Sequence, residues 1–315
     1  MIVEQVREAV RAGGLLGAQR PVVAMVSGGR DSICLLDVAV ALGSPGSVTA
    51  LHVNFGLRGN ESDADEHHCE ALCESLGVTL EVRRVHRPPE ESGNLQAWAR
   101  DVRYAAAIDL AQQSEALIAV GHTATDQVET ILYRLAASPG RRALLGMVVV
   151  EGRVVRPLLA LTRAQTAAYC EERNLQWRED ASNDSDTYAR GRVRHGLVGA
   201  LRAVHPAAET NVLRTARLLR EETELLDGLV EDVLKGGSSI AIARLGELPA
   251  ALQRLVVVSL AEGAADTYVP QAGDRVQEIL ELASRGRGRS ELHVGGQVGA
   301  VVEDGRLEMV KLPPR

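Results

Sequence analysis

Six consecutive residues, Ser27-Gly28-Gly29-Arg30-Asp31-Ser32, combine the residue types that hold phosphates with a single carboxylate. Adjacent glycines let main-chain N–H groups close on an anion, and a helix N-terminus directly after them favours negative charge. Asp31 inside such a loop repels a phosphate unless a divalent metal lies between them. The Gly-Lys-Ser/Thr of a Walker A loop is missing, since the only lysines are Lys235 and Lys311, both far away in the chain. The hexapeptide therefore reads as a pyrophosphate-binding turn of the kind that adenylates a substrate. A second group of acids stands in Gly121-His122-Thr123-Ala124-Thr125-Asp126-Gln127-Val128-Glu129. Asp126 and Glu129, three apart, share one face if this stretch is helical. Acids in a first helical turn commonly do no more than complement the helix dipole. The Gly-His opening after an apolar run favours a site, with His122 as a nucleotide contact.

The elements that must position these residues follow from periodicity. Apolar strand-like runs at 22–26, 48–53, 79–85, 117–120 and at 148–150 with 154–155 alternate with helical patterns at 33–42, 63–76, 95–111 and 126–136. That alternation predicts an α/β fold, a doubly wound and mostly parallel sheet whose ligand site lies at the carboxyl ends of the strands. The loops at 27–32, 54–60 and 121–125 all follow strands and should meet there. Asn54 is then placed to reach an adenine or ribose. A helix is expected from Thr162, with Gln165 at the capping-box position. The polar run 179–186 reads as a loop. Beyond His205-Pro206 helical patterns dominate to about residue 282. Strand-like runs then close on a hairpin around Glu303-Asp304-Gly305. Two domains are expected, a nucleotide-binding domain over 1–205 and a smaller, mainly helical one over 206–315.

Four scattered cysteines form no C-x-x-C pair, which speaks against a cluster or redox centre and for a reduced, cytoplasmic protein. No signal peptide is expected ahead of the first strand, and no apolar run approaches the ~20 residues of a membrane span. His67-His68-Cys69 with Cys73 lacks the paired spacing of a zinc site, so buried thiols are expected. The net charge of −7 hides a segregation. Residues 187–220 hold seven arginines against Glu209, and 134–163 hold six against Glu151. A basic stripe on an acidic body suits a polyanion. Arg141, Arg142, Arg190, Arg192 and Arg194 are its candidate phosphate contacts, and Arg100 and Arg103 either cover the nucleotide or brace their helix. The apolar run 255–260 serves a core or a homodimer interface equally.

The Ser-Gly-Gly-Arg-Asp-Ser loop resembles that of the PP-loop ATP pyrophosphatases. Together with His52-Val53-Asn54-Phe55-Gly56-Leu57-Arg58, Asn94-Leu95-Gln96-Ala97-Trp98-Ala99-Arg100-Asp101-Val102-Arg103-Tyr104, Arg156-Pro157-Leu158-Leu159, Asp180-Ala181-Ser182-Asn183-Asp184 and Arg190-Gly191-Arg192-Val193-Arg194, the chain over about 20–200 is similar to the tRNA(Ile)-lysidine synthetases. The resemblance implies ATP and Mg²⁺, with adenylation of the wobble cytidine of a tRNA(Ile) bearing a CAU anticodon. The side-chain amine of L-lysine then displaces AMP. Asp31 would hold Mg²⁺, and Asp126 and Glu129 would orient the amine and accept its proton or add a metal contact. The chain departs from the family at Thr125, where many members have a second Asp, at Gly191, where an Asn is usual, and at Phe55, where a histidine is frequent.

Overall fold

The computed structural model describes residues 1–17, 20–88, 93–137, 140–178, 189–284 and 288–313; the side chains of residues 190, 283 and 284 lie outside it, as does the 180–184 motif. An amphipathic α1 (Ile2–Ala12) buries Val6 and Val10 ahead of β1 (Val22–Met25), whose valine-rich run is covered on both faces. The chain then alternates through α2 (Arg30–Leu42), β2 (Val48–Asn54), α3 (Asn60–Leu76), β3 (Thr79–Arg84), α4 (Leu95–Gln113), β4 (Leu117–Ala119) and α5 (Ala124–Ala137). A short β5 (Val150–Glu151) and β6 (Val154–Val155) precede α6 (Arg163–Glu172).

The sheet runs in the order β3-β2-β1-β4-β6-β5, parallel throughout except for the β5–β6 hairpin at its edge. This is the expected doubly wound α/β arrangement. The order reverses at β1, which pairs Val22 with Val48 of β2 on one side and with Leu117 of β4 on the other. A crevice opens at such a switch point, beyond the carboxyl ends of the two diverging strands. The loops after β1 and β4 lead into the first turns of α2 and α5, which carry Asp31 and Asp126.

Two compact units divide the chain, Met1–Ala216 and Arg217–Arg315. The first also contains α7 (Ala189–Arg192), a π-helical turn (Val193–Val198) and α8 (Gly199–Val204). The boundary falls within the long helix α9 (Ala208–Leu234). The second unit holds β7 (Ser239–Ala241), α10 (Ile242–Glu247), α11 (Ala250–Ala265), α12 (Val276–Ser284), β8 (Ser290–Gly295), β9 (Val298–Glu303) and β10 (Arg306–Lys311). Its helices pack on an antiparallel sheet of order β7-β10-β9-β8 around Leu245, Val256, Ile279 and Leu307. The β9–β10 turn is the expected Asp-Gly hairpin: Asp304 and Gly305 sit at φ 49° and 72°, the left-handed pair that a two-residue turn requires. The strand-like runs expected at 291–294, 298–302 and 307–312 form β8, β9 and β10, and only the three-residue β7, which pairs with β10, is additional.

Candidate active site

The 27–32 loop is held by its own serines. Ser32 Oγ accepts from the Ser27 main-chain N–H at 3.1 Å and donates to the Gly29 carbonyl at 2.7 Å. Ser27 Oγ accepts from the Gly29 N–H at 3.4 Å. Gly28 stands at φ 82°, a conformation that side-chain-bearing residues rarely adopt. Gly29 is the N-cap of α2, so the loop leads directly into a helix N-terminus. The neighbouring β4 loop approaches so closely that a Cβ on Gly121 would lie 3.0 Å from the Asp31 carbonyl oxygen. Glycine there lets the two loops meet.

Three acids converge at this junction. Asp126 sits at the third position of α5, where its carboxylate accepts from the N–H and hydroxyl of Thr123 at 2.8 and 2.7 Å. The Asp126 N–H lies 3.4 Å from Thr123 Oγ1, which completes a capping box built on Asp. Glu129, one turn on, is the most buried acid of the three at 1% exposure. Arg194 grips it twice, Nε to Oε1 at 2.7 Å and Nη2 to Oε2 at 3.2 Å. Burial works against the charge on Arg194, yet Glu129 and the more distant Asp126 and Asp31 outweigh it and raise its pKa further. The π-helical turn presents this arginine: Val193 and Val198 bury against Val128 of α5 and leave Arg194 directed at Glu129.

Arg163 joins all three acids. It donates from Nη2 to Asp126 Oδ1 at 3.0 Å and from Nη1 to Glu129 Oε1 at 3.5 Å, and its Nε lies 3.4 Å from Asp31 Oδ2. Its backbone is fixed as the first residue of α6, behind the Thr162–Gln165 capping box that the sequence predicted. The Arg163 N–H donates to Thr125 Oγ1 at 3.3 Å. Asp31 also accepts from the buried Thr166 hydroxyl of α6 and faces Arg30 Nε at 3.6 Å. A cavity of about 420 Å³ opens beside the cluster, lined by Thr125, Glu129, Arg163, Arg194, Arg202 and Glu209 among others.

The structure thus brings Ser27, Gly28, Gly29, Arg30, Asp31, Ser32, Asp126 and Glu129 together, with half-buried His122 in the β4 loop beside them. It gives several others different company. The Asn54 amide donates to Glu66 Oε2 at 2.8 Å and accepts from the Gly56 N–H at 2.8 Å, so it closes the β2–α3 loop instead of standing free at the sheet edge. Asp126 and Glu129 are already bound by arginines and are not open carboxylates. Arg194, expected on a surface stripe, turns inward. Arg100 and Arg103 are exposed on α4, Arg100 stacking over Tyr104 at 4.6 Å. Arg141 and Arg142 are half-buried in a short 3₁₀ turn, and Arg192 is exposed. The side chain of Arg190 lies outside the described residues. Arg163, Thr123 and Thr166 were missed. Thr123-x-x-Asp126 has capping-box spacing, and Arg163 places a cation in a first helical turn, where the dipole disfavours it; both are signals that sequence alone offers.

All four cysteines are buried and free, and burial pushes the Cys69 and Cys73 thiols up to about 12 and about 11. Among the described residues, no cluster of His, Cys, Asp and Glu is suited to hold a metal ion by itself. No described helix is long and apolar enough to cross a membrane.

A family profile described as the PP-loop domain matches residues 2–201. The chain belongs to the PP-loop family. This PP-loop protein is 36% identical over 283 residues to a tRNA(Ile)-lysidine synthase of Solibacter usitatus, an overlap covering 86% of the chain and 63% of that protein. It is 40% identical over 212 residues to a tRNA(Ile)-lysidine synthase of Pseudomonas fluorescens, covering 65% of the chain and 47% of that protein. The chain therefore spans about half to just under two thirds of the length of these curated relatives. Among solved structures, a U34-tRNA thiolase, NcsA from Methanococcus maripaludis with its 4Fe–4S cluster, superposes with a TM-score of 0.58 at 18% identity, covering 70% of this chain and 79% of that one. That likeness is one of fold.

Proposed function

We propose that this PP-loop protein is a cytoplasmic tRNA(Ile)-lysidine synthetase. The ring-carbonyl oxygen of the wobble cytidine of a CAU-anticodon tRNA(Ile) attacks the α-phosphorus of ATP, and pyrophosphate leaves. The side-chain amine of L-lysine then attacks the activated ring carbon, forming a carbon–nitrogen bond, and AMP departs with the oxygen. The observation that carries the reading is the junction of the two loops. An anion-binding turn containing Asp31 meets two further acids beside a cavity, in a chain whose curated relatives bear this name.

The donor set fits Mg²⁺ in one particular way. This ion commonly takes one or two carboxylates together with substrate phosphates and waters. Asp31 suits it, being a hard oxygen donor at 18% exposure in the loop. Asp126 and Glu129 do not, since both are buried and held by directional bonds to Thr123, Arg163 and Arg194. When bound, the ion offsets phosphate charge that no nearby lysine can. Main-chain N–H groups of the loop and the α2 N-terminus orient the phosphates. Glu129 lines the cavity, but Arg194 and Arg163 hold its carboxylate, so its part is to fix these two guanidinium groups at the cavity wall. The amine must lose its proton before attacking and passes it to solvent. Asp126 acts through Arg163, as a positioning residue. Exposed Arg100, Arg103 and Arg192 supply backbone contacts to tRNA, and half-buried Arg141 and Arg142 are further contacts of the same kind.

Incubation with radiolabelled lysine, ATP, Mg²⁺ and a tRNA(Ile) transcript bearing CAU should label the RNA. A folded preparation that binds the transcript yet transfers no lysine defeats the proposal. Transfer of sulfur in place of lysine would point to a thiolase, a reading that the buried, high-pKa thiols disfavour.

A further inference from the structure

Arg163 is tied to its three acids unequally. Toward Asp126 it makes a directional bond at 3.0 Å, and Glu129 lies at 3.5 Å with Arg194 as its closer partner. Toward Asp31 it offers only Nε at 3.4 Å, and that buried atom has no aligned hydrogen-bond acceptor. Arg30 repeats the pattern: its Nε is 3.6 Å from Asp31 and is likewise buried without an aligned acceptor. Asp31 is therefore neutralised by proximity, while Asp126 and Glu129 are held by geometry. It is also the most exposed of the three, at 18% against 8% and 0% for the side chains of Asp126 and Glu129. An ion pair that is poorly aligned and whose carboxylate keeps partial exposure is the easiest of the cluster to exchange.

We infer that Arg163 is the resident counter-ion of Asp31 and cedes that carboxylate to Mg²⁺ when nucleotide arrives, keeping its hold on Asp126 and Glu129. Arg163 then sets how much Mg²⁺ the site needs. The inference rests on the reading of the loop as an ATP·Mg²⁺ site. It gives a positive residue at the first position of α6 a reason to be there, where the helix dipole alone disfavours it. The competing account is a strut that simply fastens α6 to α5. The two differ in sign. Loss of a strut weakens nucleotide binding at every metal concentration, whereas loss of a competitor lowers the metal concentration required.

The test is equilibrium ATP binding, without tRNA or lysine, measured by calorimetry across a Mg²⁺ titration. In Arg163→Gln the Mg²⁺ concentration for half-maximal ATP binding should fall about fivefold, the factor expected for one partly exposed ion pair. Arg163→Lys, which keeps a cation beside the buried acids but cannot span all three, should shift it in the same direction by less. An unchanged or raised requirement in a folded variant overturns the inference. So does failure of both variants to fold, which would make Arg163 a strut. If the unsubstituted protein binds no ATP with Mg²⁺ present, the reading of the site fails instead.

Discussion

Asp31 and Asp37 lie on the same helix, less than two turns apart, and both reach across to α6. Around Asp37 the partners are complete: the Tyr169 hydroxyl donates at 2.5 Å, and Arg173 donates from Nε and Nη2 at 3.1 and 2.9 Å. Arg7 of α1 adds a fourth contact at 3.6 Å, and the side chain is 2% exposed. Burial opposes the charge on Asp37, but the hydrogen bonds from Arg173 and Tyr169 outweigh it and hold its pKa below the ordinary aspartate value. Asp31 keeps one good hydrogen bond, from Thr166, and two guanidinium groups that face it without aligning. The pair separates two uses of a carboxylate. One staples α1, α2 and α6 together and has nothing left to offer a ligand. The other is neutralised just enough to stay in place and can change partners.

The largest effect should come from Asp31→Asn. On the proposed function, removing the charge proposed to receive Mg²⁺ should lower ATP-dependent lysine transfer by about 10²–10³-fold, comparable with loss of a preorganised electrostatic contact. The melting temperature should move little, because the partners of Asp31 are poorly aligned or have other acids. A parallel collapse of folding would erase the distinction between the two aspartates. Asp37→Asn should do the reverse. It leaves Tyr169 and the partly exposed Arg173 and Arg7 with an incomplete partner, a change that should cost about 2–3 kcal/mol once solvent screening of the two guanidinium groups is allowed for. Denaturant unfolding should report that loss, while the ATP affinity of the folded fraction stays put.

The same contrast has a pH signature. A carboxyl whose folded pKa is depressed contributes stability above its unfolded pKa and loses it as the pH falls through the folded value. Asp37 is such a group. The stability gap between the unsubstituted protein and Asp37→Asn should be full at neutral pH and close progressively below about pH 4, the ordinary aspartate range. A gap that is flat between pH 7 and pH 3 would mean that Asp37 is not held ionised by Arg173 and Tyr169.

Much of this arrangement was legible in the sequence, and the unread part has a common cause. β1, the glycine turn and α2 are encoded within about twenty residues, and so are the Thr162–Gln165 cap and the Asp-Gly hairpin. Each depends on neighbours that local composition reveals. β7 is three residues long and exists only because β10, far along the chain, pairs with it. The Arg163–Asp126 contact joins residues 37 apart, and Arg194–Glu129 joins residues 65 apart. Clustering of arginines indicates charge but not the direction in which it points. A run such as Arg192-Val193-Arg194 therefore reads as a surface stripe until Val193 is seen to bury against α5 and a π-turn swings Arg194 inward. Asn54 is the same lesson on a smaller scale, because the acids of α3 that engage its amide cannot be assigned to it from spacing alone.

The finest test of the comparison uses the two hydroxyls that α6 sends to the two aspartates. Tyr169→Phe removes the donor to Asp37 and an acceptor for Arg7 Nε at 3.2 Å. Its cost should be about 1–2 kcal/mol, that of a hydrogen bond to a charged group, with no change in ATP binding. Thr166→Val preserves shape at a fully buried position and removes the donor to Asp31. It should cost about 1 kcal/mol or less, because Asp31 can rehydrate, and should change the Mg²⁺ requirement for ATP binding by about twofold. The decisive quantity is the difference between the variants in metal dependence, read beside their unfolding curves. If Tyr169→Phe disturbs nucleotide binding as much as Thr166→Val does, the two carboxylates form one coupled network along α2. The division between a stapling and an exchangeable acid then fails. If only Thr166→Val does so, function is confined to the first turn of α2, and the rest of the α2–α6 contact holds it still.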